Sequence, residues 1–126
     1  MAKSNRKVVG NRRSERRIRM AIVMQNAWMF VREEGMELSD AIRVANLNYR
    51  LRSMLFKGHA RFVYVKADGK TREAVGTLCG GVFDNSEPRG TGKSRTKANQ
   101  LYFDDECNEF RQFRKARLVA IIGMAA

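Results

Sequence analysis

Gly58 divides this chain. Before it, apolar side chains recur every three or four positions; after it, they alternate with polar ones. The first period belongs to a helix buried along one side, the second to a half-buried strand. Helices up to Gly58 and strands beyond it give an α+β fold, a helical hairpin followed by a small barrel.

Ser14 is a candidate N-cap, and a helix is expected from there to Glu34, with Gly35 as terminator. Ile18, Ala21, Ile22, Trp28 and Met29 fall near one face, widened by Met24, Ala27 and Val31. Ser39 is expected to cap a second helix, DAIRVANLNYRLRSMLFK, ended by Gly58. Leu38, Ile42, Ala45 and Tyr49 form one stripe on it, and Val44, Leu47, Leu51 and Leu55 another. A helix apolar on two sides packs between two layers.

Past Gly58, ARFVYVKADGKTREAVGTL reads as two strands joined by a two-residue turn at Asp68-Gly69. Ala74 and Gly76 are small, as expected where a strand bends around a tight barrel. A long loop, 79–98, separates this hairpin from a second, LYFD and EFRQFR, turning at Asp105 to Asn108; RLVAII is the last strand. Five short strands without intervening helices suggest a small barrel of Greek-key or meander type over 59–126. The expected organisation is a disordered basic arm over 1–13, the hairpin over 14–58, and the barrel.

Charge narrows the function. The chain has 126 residues and a formal net charge of +12, from 25 Lys+Arg against 13 Asp+Glu. Such an excess attracts polyanions. Nucleic acid is the leading partner, and an anionic membrane surface the rival. No apolar run approaches the roughly 20 residues needed to span a bilayer, and the N-terminus does not read as a signal peptide. Cys79, Cys107 and the lone His59 show no zinc spacing. The thiols are expected to be reduced, in a cytoplasm. No metal or cofactor is expected.

One motif raises an enzymatic alternative. Gly92-Lys93-Ser94 matches the end of a phosphate-cradling P-loop, but Glu87 stands where the first glycine belongs, and a carboxylate there repels phosphate. No apolar helix follows Ser94. The acids at Asp104, Asp105, Glu106 and Glu109 sit on a turn without His, Ser or metal-ligand spacing. Catalysis is not expected.

The run FVYVKADGKTREAVGTL, then YFD, then FRQFRKARLVAI resembles the WYL-related, Sm-like, SH3-type small barrels found in phages and mobile elements of Bacteroidetes-like bacteria. Matching positions are Phe62, Tyr64, Lys66, Asp68, Gly69, Arg72, Ala74, Gly76, Thr77, Leu78, Tyr102, Phe103, Asp104, Arg111, Phe113 and Leu118. Asn46 and Phe110 depart from the pattern, where an aromatic and a Trp are usual. The resemblance implies a barrel akin to RNA-binding Sm proteins and to WYL domains that sense nucleic-acid or nucleotide ligands, with no catalytic set. The loop around Lys93 then corresponds to a variable basic loop.

The expected function is a non-enzymatic nucleic-acid-binding accessory protein of a phage or mobile element, cytoplasmic or virion-associated. Its candidate phosphate contacts are Arg12, Arg13, Arg16 and Arg17 near the N-terminus, and Arg89, Lys93, Arg95 and Lys97 in the long loop. Arg111, Arg114, Lys115 and Arg117 add a barrel edge. Arginine suits phosphate because its planar fork makes two parallel charge-assisted bonds. Tyr64 is the candidate surface for stacking an unpaired base. The alternatives are a protein-interaction or virion-structural module docking through the helical hairpin, with oligomer formation open, and a sensor of small nucleotides.

Overall fold

The computed structural model describes the backbone of residues 2–79 and 97–125, and the side chains of 12–79 and 97–125. Helices α1 (Ala2–Glu34) and α2 (Leu38–Lys57) precede strands β1 (His59–Val65), β2 (Thr71–Thr77), β3 (Asn99–Asp104), β4 (Glu109–Arg114) and β5 (Leu118–Met124). A short 3-10 turn, Lys115–Arg117, joins β4 to β5. The α+β class and the change of element type at Gly58 are as expected.

The strands form one antiparallel sheet in the order β4-β3-β2-β1-β5. In a flat sheet the two edges would lie about 19 Å apart, at ~4.8 Å per strand step. A three-residue 3-10 link advances only about 6 Å. The sheet must therefore roll until its edges approach, which makes it a small barrel. Its interior is Phe62, Tyr64, Ala74, Tyr102, Phe113 and Leu118, all buried. Phe62 meets Tyr102 edge-on at 5.1 Å, and Tyr64 stacks on Phe113 at 4.9 Å. Gly76 lets the curved wall close. A Cβ there would lie 2.5 Å from the Tyr102 ring and 2.7 Å from the Phe103 carbonyl oxygen.

α2 joins the two halves of the molecule. Its first half buries Ala41, Val44 and Ala45 against Val23, Ala27 and Phe30 of α1. Its second half caps the barrel with Leu51 and Leu55. The last turn of a helix leaves carbonyls unpaired. Here the Leu55 carbonyl accepts from the Leu78 N–H at 2.8 Å and from the Thr77 hydroxyl at 3.2 Å.

Three local expectations are corrected. α1 begins at Ala2, not at Ser14, so residues 2–13 continue the helix backwards; Lys and Arg are good helix formers, and Ser14 is no stop. The α2 N-cap is Glu37, whose side chain makes no capping bond, and Ser39 lies inside the helix. The Asp68-Gly69 turn is longer than two residues. Gly69 N–H donates to the Lys66 carbonyl at 2.9 Å, Lys66 N–H donates to the Lys70 carbonyl at 2.8 Å, and Gly69 has φ +87°. That is a three-residue loop with its glycine in the left-handed position.

Candidate nucleic-acid interface

The expected basic residues separate into three groups. Arg12, Arg13, Arg16 and Arg17 are exposed on α1. Arg89, Lys93 and Arg95, with the whole Glu87-to-Ser94 motif, lie outside the described residues. The barrel residues divide further, because acids neutralise some of them.

Asp104 is the reason. It sits at the end of β3 with a fully buried side chain. Its Oδ2 lies 2.6 Å from Arg72 Nη2 and 3.3 Å from Arg111 Nε. Its Oδ1 accepts the backbone N–H groups of Glu106 at 2.8 Å and Cys107 at 3.3 Å. Burial acts to lower the Arg72 pKa, but the Asp104 carboxylate and the neighbouring Tyr102 outweigh it, so Arg72 is held more firmly protonated than usual. Arg111 also lies 3.5 Å from Glu109, and its Nη2 donates to Cys107 Sγ at 3.2 Å. Its charge is committed to the β3–β4 turn and is less open to a phosphate than the sequence suggests. Arg114 is exposed and lies 3.0 Å from Glu34, tying the barrel to the end of α1. Arg117 is half-buried on the 3-10 turn.

Tyr64 is likewise corrected. It is 5% exposed, it packs against both Phe62 and Phe113, and its hydroxyl bonds that of Tyr102 at 2.8 Å. Inward alternation on β1 places it in the core. No base can reach its face.

The free positive charge gathers elsewhere. A groove of about 1060 Å³ opens where α1, α2, the start of β3 and the 3-10 turn meet. Of the expected contacts, Lys97 and Lys115 line it. Arg32 and Arg52 join them, opposed by Glu33 alone among the acids of the lining. Trp28, Tyr49 and Phe56 supply aromatic surface. Burial, and then the nearby Arg52, lowers the Lys115 pKa. Asn48 Nδ2 donates to the Val44 carbonyl at 2.9 Å and to the Lys115 carbonyl at 2.8 Å, so the helix and the 3-10 turn hold the groove together.

The groove also extends along α1. Ile22, Gln25, Met29 and Arg32 line it at helical spacing. Carried back with the same spacing at ~1.5 Å per residue, that stripe passes Arg19 about 5 Å, the acid Glu15 about 10 Å and Arg12 about 15 Å from Ile22. Arg19 is exposed and rests over the Tyr49 ring at 5.3 Å from its centroid. Arg19 thus brings positive charge from α1 to the rim of the groove.

Sequence reasoning missed Trp28, Arg32, Arg52 and Phe56 as site residues. Arg52 and Phe56 are spaced i, i+4 on the outer side of α2, and that pairing was the available signal. His59 is half-exposed with its Nδ1 2.6 Å from Asp105 Oδ2. Cys79 and Cys107 are free thiols. Among the described residues, no helix is long and apolar enough to cross a membrane.

Comparison with known families matches residues 48–119, more than half of the chain, to the family described as WYL_2, Sm-like SH3 beta-barrel fold. Comparison with curated proteins and with solved structures returns no match.

Proposed function

The chain belongs to the WYL_2 family of Sm-like SH3 β-barrel fold, and on that footing we propose that it is a non-enzymatic nucleic-acid-binding protein. The observation that carries this reading is the groove between the helical hairpin and the barrel, where Arg32, Arg52, Lys97 and Lys115 face a single acid, Glu33. The +12 net charge and the exposed arginines of α1 support it from outside the groove. The barrel edge that sequence alone favoured contributes less, because Arg111 and Arg114 are already paired with carboxylates.

Phosphate contacts release counterions, so affinity must fall steeply with salt, by roughly 0.7 to 0.9 in log–log slope per phosphate neutralised. The test is a fluorescence-anisotropy titration of labelled random oligonucleotide at several salt concentrations. Replacing Arg52, Lys97 and Lys115 together by Ala should flatten the slope by about two units. Hydrolysis of ATP with magnesium is not expected from the same protein. Absence of binding at low salt would overturn the reading, and so would an unchanged slope in the triple variant.

A further inference from the structure

We propose that the groove takes its nucleic acid as a single strand, with an unpaired base stacked on Trp28. The inference rests on the nucleic-acid reading above and narrows it. Trp28 and Phe56 are 46% and 53% exposed, and both line the groove. Leaving two large aromatic faces in water forfeits the apolar burial that such side chains usually supply to a core. In a duplex the base faces are stacked on one another and only phosphates and groove edges are presented, so exposed rings among cations match a strand whose bases are free to stack.

The surrounding charge fits the same occupant. The Arg52 guanidinium lies 5.7 Å from the centroid of the Phe56 ring, so a cation stands beside an aromatic ring on the helix side of the groove. Lys115 and Lys97 stand on the barrel side of the groove, opposite the two helices that carry the aromatics. A strand lying between them presents bases to the helices and phosphates to the barrel.

Asn48 adds a polar contact. Its Nδ2 is fixed by two backbone carbonyls, acceptors that cannot exchange places with its oxygen, so the amide orientation is determined. Its Oδ1 is then left without a partner among the described residues, on a side chain 5% exposed that lines the groove. A buried acceptor with no donor is costly. A donor on the edge of a stacked base would satisfy it after a small local opening. Trp28 and Arg32 lie outside the family-matched segment, so this site is a property of the chain's own hairpin set against the barrel.

Trp28 is the single tryptophan of the chain, so its intrinsic emission reports on this site alone. The full chain is titrated at low salt with oligothymidylate and oligouridylate of about 12 nucleotides, within the usual site sizes for such grooves, and with a mixed-sequence duplex of equal length. Single strands should quench Trp28 and bind more tightly than the duplex, and the two strand chemistries tell DNA from RNA. Phe56→Ala should weaken single-strand binding about tenfold, with little change for duplex. Both aromatics are exposed, so the fold should survive, and Trp28→Phe, which keeps a ring, should retain most of the affinity that Trp28→Ala loses. Equal affinity for duplex and single strand, with Trp28 emission unchanged by either, overturns the stacking proposal and leaves the phosphate-binding reading intact. No binding of any probe overturns both.

Discussion

At the scale of single residues, the molecule depends most on Asp104. One oxygen holds Arg72 and Arg111, and the other orders the turn that follows β3. Removing one partner of a buried ion pair leaves the other uncompensated, at a cost of about 3 to 5 kcal/mol. Arg72 keeps some contact with water, so Asp104→Ala should cost toward the lower end, read as a shift of the urea midpoint. Asp104→Asn retains an acceptor for the turn N–H groups and should cost less; equal losses would show that the charge, not the turn, carries the effect. The Tyr64–Tyr102 hydroxyl pair makes a separate prediction at high pH. Burial, and then the hydrogen bond shared with Tyr64, raises the Tyr102 pKa well above its usual value. The unfolded chain releases that proton near about pH 10, while the native state retains it. The native state then binds more protons, so stability is level below that pH and falls above it. Tyr102→Phe lacks the titrating group, and its stability should fall less steeply above about pH 10. Parallel denaturation curves of the two proteins across that range would contradict this account.

At the scale of elements, legibility in the sequence followed how sharply the apolar pattern was phased. β1 alternates cleanly in burial, and the strands of both hairpins and the last strand could be read in advance, although Tyr64 was given an outward role that its inward phase denies. α1 could not be phased. Apolar residues stand at 18, 20 to 24 and 27 to 31, nearly all round the helix, and the stripe named from the sequence placed Ile18 and Trp28 inward. The buried set is Val23, Ala27 and Phe30, one position away, which turns Trp28 out into the groove. The candidate site was hidden for a related reason: its lining is scattered over two helices, the start of β3 and the 3-10 turn, and no contiguous motif spells that out. The Asp68-Gly69 turn shows the limit of a good local signal. The glycine was placed correctly, but the loop has three residues because the closing pair is Lys66 and Lys70, with the Gly69 N–H also bonding the Lys66 carbonyl. Gly69 still needs its positive φ of +87°, and a Cβ there would meet nothing within 4 Å. The cost of Gly69→Val is therefore backbone strain alone, about 1 to 2 kcal/mol. Gly69→Asn should cost less, since Asn enters the left-handed region more readily. Thermal melts of both variants decide it, and an unchanged melting temperature for the valine variant would mean the turn is drawn wrongly.

At the scale of the whole molecule, the same charge that suits the protein to a polyanion works against its own fold. A formal charge of +12 on 126 residues makes the compact state repel itself. Opposing this are a few ion pairs, of which Arg72–Asp104 has a fully buried carboxylate and is screened little by salt. Exposed pairs such as Arg61–Glu73, at 3.8 Å, contribute little in any case. Raising salt therefore removes repulsion while sparing the pair that matters. Screening of exposed charges grows as the Debye length shrinks from about 30 Å at 0.01 M to about 8 Å at 0.15 M. The melting temperature of the free protein should rise over that interval, while its affinity for oligonucleotide falls. The opposite signs follow from one cause, the unneutralised cations of α1 and the groove. A bound oligonucleotide should supply the missing counter-charge itself, so at low salt it should raise the melting temperature, and by less as salt is added. Melting curves at several salt concentrations, with and without oligonucleotide, test both signs together. A free protein whose melting temperature falls with salt would show that attraction, not repulsion, dominates its surface, and the groove would then lose its claim to be an open cationic site.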